Sequence, residues 1–346
     1  MSESSSEHVA AGGHVATGGA GGQVEGATPY GSHYAGTWDR CLRKGFLSFL
    51  APHPKGGRGL RLPIPPRALK LGGIVHVGLE HYYRSGPRDP SARDVDYAVA
   101  KMEAAAATRA MEWGNPEERE QDIAKARALL FDYHQHWQGD PEVLVVEDKD
   151  GPLIERAMEV EVPGCPVPFT CRPDAVVEWR KSWTYVMEHK TSSAWGMNRI
   201  RTGMLNNIQG TGECYTLSRL FPHLATQGVL LNVLVKDRSS KSKYQPFERD
   251  TAARTEAQLA MFEAHHRARQ AHIHDLTTQW QQLTERLGDP WAAGAQVFVA
   301  SGASIGACED TYGRPCEFLD LCKGVGMERI LAEGLVAYQE ANPLGA

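Results

Sequence analysis

The stretch "RPDAVVEWRKSWTYVMEHKT", residues 172–191, constrains this chain more than any other. Two runs rich in Val and aromatics flank the polar triplet Arg180-Lys181-Ser182, which is the pattern of a β-hairpin. A three-residue loop sets Trp179 opposite Trp183, Val176 opposite Val186 and Asp174 opposite Glu188. Opposed residues point to the same face. Lys190 joins that face through the two-residue period of a strand. One hairpin then presents two carboxylates and an ammonium together, and a one-residue slip in register would separate them.

Close carboxylates repel, so each must take a proton or share a cation. A hard ion such as Mg²⁺ or Mn²⁺ suits an all-oxygen site. Lys190 beside it could orient an attacking water or stabilise charge on a phosphate. The same residues could also make an exposed, salt-bridged hairpin, which would contribute little.

The rest of the chain frames this hairpin. Residues 1–36, rich in Gly, Ser and Ala, are too poor in large apolar groups to offset the entropy of ordering and are expected to form a disordered tail. "TWDRCLRKGFLSFL" reads as a short helix. "APHPKGGRGLRLPIPP" reads as a loop carrying Arg58 and Arg61, and "LKLGGIVHVGLEHYYRSG" as a helix. Two more helices are expected over 92–113 and 116–137, with Asn115 as cap and Pro116 at the first helical position. "EVLVVED", "RAMEVEVP" and "PVPFTCRPDAVVEW" read as strands, followed by a polar helix near 197–220. "GVLLNVLVKD" has the apolar run of a buried strand, with "KYQPFERD" outside it. Leu259, Phe262, Ile273, Leu276, Trp280 and Leu283 recur at helical spacing through 252–287. Helices, then strands, then helices point to an α/β layer fold, a mixed central sheet flanked by helices. A single domain is expected over 37–330, with its core near 140–250, a C-terminal helix and cysteine region over 252–325, and a short tail over 331–346.

Net charge is −5, so no basic field covers the whole protein, and contact with nucleic acid would need local patches. Arg40, Arg43 and Lys44 form one such patch. Lys236, Arg238, Lys241 and Lys243 form another. Either patch could neutralise phosphates or stay solvated. No apolar run approaches the roughly 20 residues of a membrane span, and no secretory pattern opens the chain. A soluble, cytoplasmic protein without membrane contact is expected. The absence of a Gly-rich phosphate loop ending in Lys-Ser/Thr argues against a nucleotide cofactor.

Of seven cysteines, Cys308, Cys316 and Cys322 crowd into "CEDTYGRPCEFLDLC", a ligand-like pattern. Three thiolates are one short of the usual four. Cys165, Cys171 and Cys214 stand apart and read as packing residues.

The hairpin resembles the PD-(D/E)XK nuclease superfamily, with Asp174, Glu188 and Lys190 on the motif positions and Pro173 supplying the literal "PD". It looks closest to the RecB-like branch, which includes phage exonucleases and CRISPR-associated adaptation nucleases. "GGIVHVGLEHYY" resembles that branch's Gly-x3-His helix through Gly72 and His76. "NNIQGTGECY" resembles its substrate-side helix through Gln209 and Tyr215. Glu147 in "VLVVED", with Glu161 competing, resembles the acidic residue at the start of its sheet.

The resemblance implies a restriction-endonuclease-like core. In it His76, Asp174, Glu188 and the His189 carbonyl would hold Mg²⁺ or Mn²⁺, and Lys190 would position the water. Iron–sulfur members take a fourth thiolate from an N-terminal cysteine. Cys41 with Cys308, Cys316 and Cys322 would accordingly hold a [4Fe-4S] cluster. Zinc, with or without His33 or His53, and plain burial are the alternatives. The implied activity is metal-dependent DNA hydrolysis from an end, in phage or mobile-element recombination or repair. DNA and a recombination protein would be the partners. A catalytically silent DNA-binding module is the alternative.

Overall fold

The computed structural model describes residues 30–53, 56–61, 65–137, 142–237, 243–300, 308, 315–322 and 336–338. Most of the expected N-terminal tail, and Arg238 and Lys241, lie outside them.

The chain begins with α1 (Ser32–Arg40) and α2 (Leu42–Gly45), the latter continuing as a π-helical turn over Phe46–Leu50. The expected tail therefore gives way to helix a few residues early, and the expected single helix is broken at Cys41, which is extended (φ −165°). The Pro/Gly loop holds a short strand, β1 (Arg58–Arg61), and is followed by α3 (Arg67–Ser85), α4 (Val95–Thr108) and α5 (Pro116–Trp137). Asn115 caps α5 by accepting from the Glu117 amide at 2.9 Å, which satisfies one of the orphan donors at a helix start.

Strands β2 (Val143–Val145), β3 (Glu147–Asp148), β4 (Gly151–Pro152), β5 (Met158–Val160), β6 (Phe169–Cys171), β7 (Ala175–Trp179) and β8 (Trp183–Ser193) come next. The polar helix expected after them is two helices, α6 (Met197–Met204) and α7 (Ile208–Leu220). Asn207 divides them by accepting from the Gly210 amide at 3.1 Å. After β9 (Gly228–Asp237) and β10 (Phe247–Ala253), α8 (Glu256–Leu287) starts at a capping box made by Thr255 and Gln258. That cap, not apolar periodicity, sets its first residue. The chain then forms α9 (Pro290–Val297), α10 (Leu319–Cys322) and β11 (Val336–Tyr338). β11 pairs antiparallel with β1, so part of the expected C-terminal tail returns to the body.

The central sheet has the order β10-β9-β8-β7-β2. It is mixed: β8 and β9 run parallel, joined by α6 and α7, and the other pairs are antiparallel. Ala175, Val177, Met187, Leu230 and Leu234 face the α3–α5 layer, where Ile74, Leu79 and Met102 meet them. Val176, Val186, Val229, Leu231 and Val233 face Leu217 of α7 and Phe262 of α8. Covering both faces explains why β9 is almost continuously apolar, interrupted by Asn232.

A third apolar cluster joins the two ends of the chain. Trp38, Phe46 and Leu47 pack with Ile273, Phe298 and Phe318, and the rings of Phe46 and Phe298 stack at 4.8 Å. Among the described residues no helix is long and apolar enough to cross a membrane.

Candidate active site

The hairpin takes the register set by its three-residue loop: Trp179 pairs with Trp183, Val176 with Val186 and Ala175 with Met187. Arg180 and Lys181 turn the chain with left-handed φ of 54° and 58°, and the Arg180 guanidinium lies 4.4 Å over the Trp179 ring. The ladder ends at Ala175, one residue short of Asp174. There Oδ2 of Asp174 accepts from the His189 amide at 2.6 Å, which pins the carboxylate beside Glu188.

α3 contributes His76, whose Nδ1 is 3.3 Å from Oδ1 of Asp174. Glu155 arrives from the β4–β5 connection, itself left-handed (φ 46°). Its amide donates to the carbonyls of Pro173 (3.0 Å) and Asp174 (3.2 Å). One ligand atom from each of His76, Glu155 and Asp174 lies within 4.8 Å of the others.

Glu188 is buried (2% exposed). Its Oε1 is paired with the Lys190 ammonium, and its Oε2 accepts from Gln209 Nε2 at 2.7 Å. The same Gln209 nitrogen reaches Oε1 of Glu213 at 3.3 Å. Oε2 of Glu213, also buried, has no hydrogen-bond partner among the described residues. α7 can bring these groups in because it lies close to β6: a Cβ on Gly212 would be 2.4 Å from the Phe169 ring. His76, Glu155, Asp174, Lys190, Gln209 and Glu213 together line an open cleft of about 710 Å³.

The electrostatics follow from this crowding. Burial pushes the Asp174 carboxyl up, but His76, then His189 and Lys190, hold it well below the usual carboxylate range. Burial opposes charge on His76, yet Asp174 raises it to about 9. Glu155 is raised to about 8 by burial and by Asp174, against Arg172. Burial, with Asp174, raises Glu188 against the pull of Lys190. Burial, then Glu188 and Asp174, push Glu213 far up. Burial works against the Lys190 charge, but Glu188 keeps its ammonium above the ordinary value. Glu155, Asp174 and Glu213 line the cleft and Glu188 is buried beside them, so at neutral pH some of the four stay neutral unless a cation joins them.

The remaining expected residues sort as follows. His189 reaches the site through its backbone. Its ring lies on the opposite face of the sheet, where Asn232 Nδ2 donates to Nδ1 at 2.8 Å and Tyr83 stacks at 5.5 Å. Burial holds that ring neutral, with a pKa lowered to about 3. Tyr215 does not reach the cleft. It is 1% exposed and its hydroxyl donates to Glu263 at 2.9 Å. Six residues from Gln209 is the wrong side of a helix, whereas Glu213, four residues on, shares its face.

Glu147 is exposed on β3 and Glu161 is exposed as well, and the carboxylate that joins His76 and Asp174 is Glu155. The i, i+4 spacing from Gln209 could have flagged Glu213. No sequence signal marks Glu155. Tyr82 and Tyr83 are core residues. Lys236 lines the cleft, Lys44 is paired with Glu317 at 3.1 Å, and Lys243 lies 5.1 Å from the Tyr244 ring centre.

The cysteines of the two chain ends approach without gathering into a compact ligand set. The Cys316 amide donates to the Cys308 carbonyl at 2.7 Å. Burial pushes the Cys322 thiol up, opposed by Arg43, and Cys316, Cys41 and Cys308 add to the upward shift. Among the described residues, no three of these sulfurs lie within 4.8 Å of one another. A tetrahedral zinc with Zn–S bonds of about 2.3 Å would bring them to roughly 3.8 Å. Cys171 and Cys214 are buried in the apolar layer beside α7.

Comparison of the sequence with protein-family models and with curated proteins finds no match in either.

Proposed function

We propose that this protein is a divalent-metal-dependent deoxyribonuclease, hydrolysing phosphodiester bonds from a DNA end in recombination or repair. The observation that carries the reading is the convergence at an open cleft of Asp174 and Lys190 from one hairpin with His76 from α3, Glu188 lying buried against Lys190.

The donor set fits Mg²⁺ or Mn²⁺. It offers carboxylates and one imidazole, with more buried acid than the neighbouring cations neutralise and one carboxylate oxygen of Glu213 unpartnered. Asp174 and His76, with Glu155 and Glu188, would hold the ion, which supplies Lewis acidity and lowers the pKa of water. The His189 amide fixes the orientation of Asp174. Gln209 holds Glu188 from the other side. Lys190 would orient the water and stabilise charge developing on the phosphate.

In the same reading Cys41, Cys308, Cys316 and Cys322 hold a [4Fe-4S] cluster. DNA is the partner at the cleft, with a recombination protein beyond it.

The test is cleavage of end-labelled single- and double-stranded DNA by protein purified without oxygen, with Mg²⁺ or Mn²⁺ against chelator. Metal-dependent degradation that Lys190→Ala abolishes is expected. An intact, metal-binding protein that cuts neither substrate would instead be a silent DNA-binding module.

A further inference from the structure

We propose that Trp195 is a stacking platform for an unpaired base, so that the cleft takes single-stranded DNA or a frayed end. The proposal deepens the nuclease reading and rests on it.

Trp195 is 95% exposed. It sits in the short turn Ala194–Gly196 at the end of β8, the strand that carries Glu188 and Lys190. Ser192, Ser193 and Gly196, the residues around it, line the cleft. The inner side of that turn is tightly packed. Ser192 is buried, and its hydroxyl donates to the Ser193 carbonyl at 2.9 Å. A Cβ on Gly196 would come within 2.5 Å of the Ser192 oxygen. The turn is therefore a firm mount, and the indole projects from it into water at the rim of the cleft.

An indole exposed to this extent offers a free π face at the edge of the cleft. What the cleft would hold can cover it. A strand whose phosphates run past Lys190 and Lys236 carries bases within reach of the rim. Every base has a π face, so stacking on Trp195 accepts any sequence. Inside a duplex both faces of a base are already covered by its neighbours, so an unpaired base can use the indole where an internal base pair cannot.

The experiment steps 2-aminopurine, whose emission falls on stacking, along a single-stranded oligonucleotide. Binding is measured with Ca²⁺ replacing Mg²⁺, for the full-length wild type, Trp195→Ala and Trp195→Phe. The wild type should quench the probe at one or two positions. Trp195→Phe should keep most of that quenching. Trp195→Ala should lose it and bind the single strand about tenfold or more weakly, with a covalently closed circular duplex unaffected. If the wild type binds the oligonucleotide while no probe position depends on Trp195, the proposal is overturned. The indole is then better read as an anchor for a protein partner, and the nuclease reading stands. If the wild type binds no DNA at all, the nuclease reading falls and takes this proposal with it.

Discussion

The β7–β8 hairpin and the module built from the two chain ends are held together by different means. In the hairpin, the groups that meet are close in sequence: the His189 amide and the Asp174 carboxylate are 15 residues apart. Loop length and strand period decide what faces what, and the contacts are charges in a partly buried cleft. In the terminal module, Lys44 meets Glu317 across 273 residues and Phe46 stacks on Phe298. There no local rule dictates the meeting, and apolar burial does most of the work. Chemistry is placed by register, whereas the frame around it is placed by packing. The four cysteines belong to the second kind, beside the aromatic cluster that joins the ends.

If that contrast is right, substitutions in the two regions should fail differently. The largest effect is on cleavage: Lys190→Ala should lower the rate about a thousandfold, roughly 4 kcal/mol of barrier, with little change in melting temperature. End-labelled DNA and a thermal melt read the two quantities, and a large melting shift would blur the distinction. Phe46→Ala should cost about 3–5 kcal/mol in denaturant unfolding, because the ring is fully buried. Cys322→Ser in the chelator-treated protein should cost under about 1 kcal/mol. In protein purified without oxygen it should remove any brown colour. Equal losses from these two variants would mean that the thiols, not the aromatics, join the ends.

A third test lies at the seam between the regions. His266 on α8 is fully buried against Phe169 and Phe262, and its charged neighbours are Arg269 and Asp39. Burial, then Arg269, lowers it from 6.5 to about 4, against Asp39. The unfolded chain therefore binds the extra proton first. The stability from this group is complete above pH 6.5 and is lost as pH falls toward 4, by at most about 3 kcal/mol. Melting curves of the wild type and His266→Gln should diverge at pH 7 and converge near pH 4, and parallel curves would refute the assignment. A comparably small effect is expected of Tyr215→Phe, which removes one hydrogen bond to Glu263. It should cost about 1 kcal/mol of stability and leave cleavage unchanged; a cleavage defect would return Tyr215 to the site.

The same contrast explains what could be read from the sequence. The pairing of Trp179 with Trp183, and with it the placement of Asp174, Glu188 and Lys190, follows from counting across a three-residue loop. Asn115 and Pro116 mark a helix start for local reasons. Gln209 lies where its helix suggested, but Tyr215 shows that a motif spacing must also satisfy the helical period. Glu155 was not legible, because its place depends on one left-handed residue and on a loop folding back over Pro173. The break at Cys41 has no marker in the residues around it, and the return of β11 to β1 depends on a partner hundreds of residues away.

The long reach between Phe46 and Phe298 also has a consequence in time. A chain is made in order, at roughly 5–20 residues per second. Trp38, Phe46 and Leu47 therefore emerge about ten seconds to a minute before Phe298 and Phe318 exist to cover them. The hairpin can close almost as soon as it leaves the ribosome, while the first helices wait, greasy and uncovered, for the last ones. The packing of Trp38, Phe46 and Leu47 is thus completed only after Phe298 and Phe318 have been made.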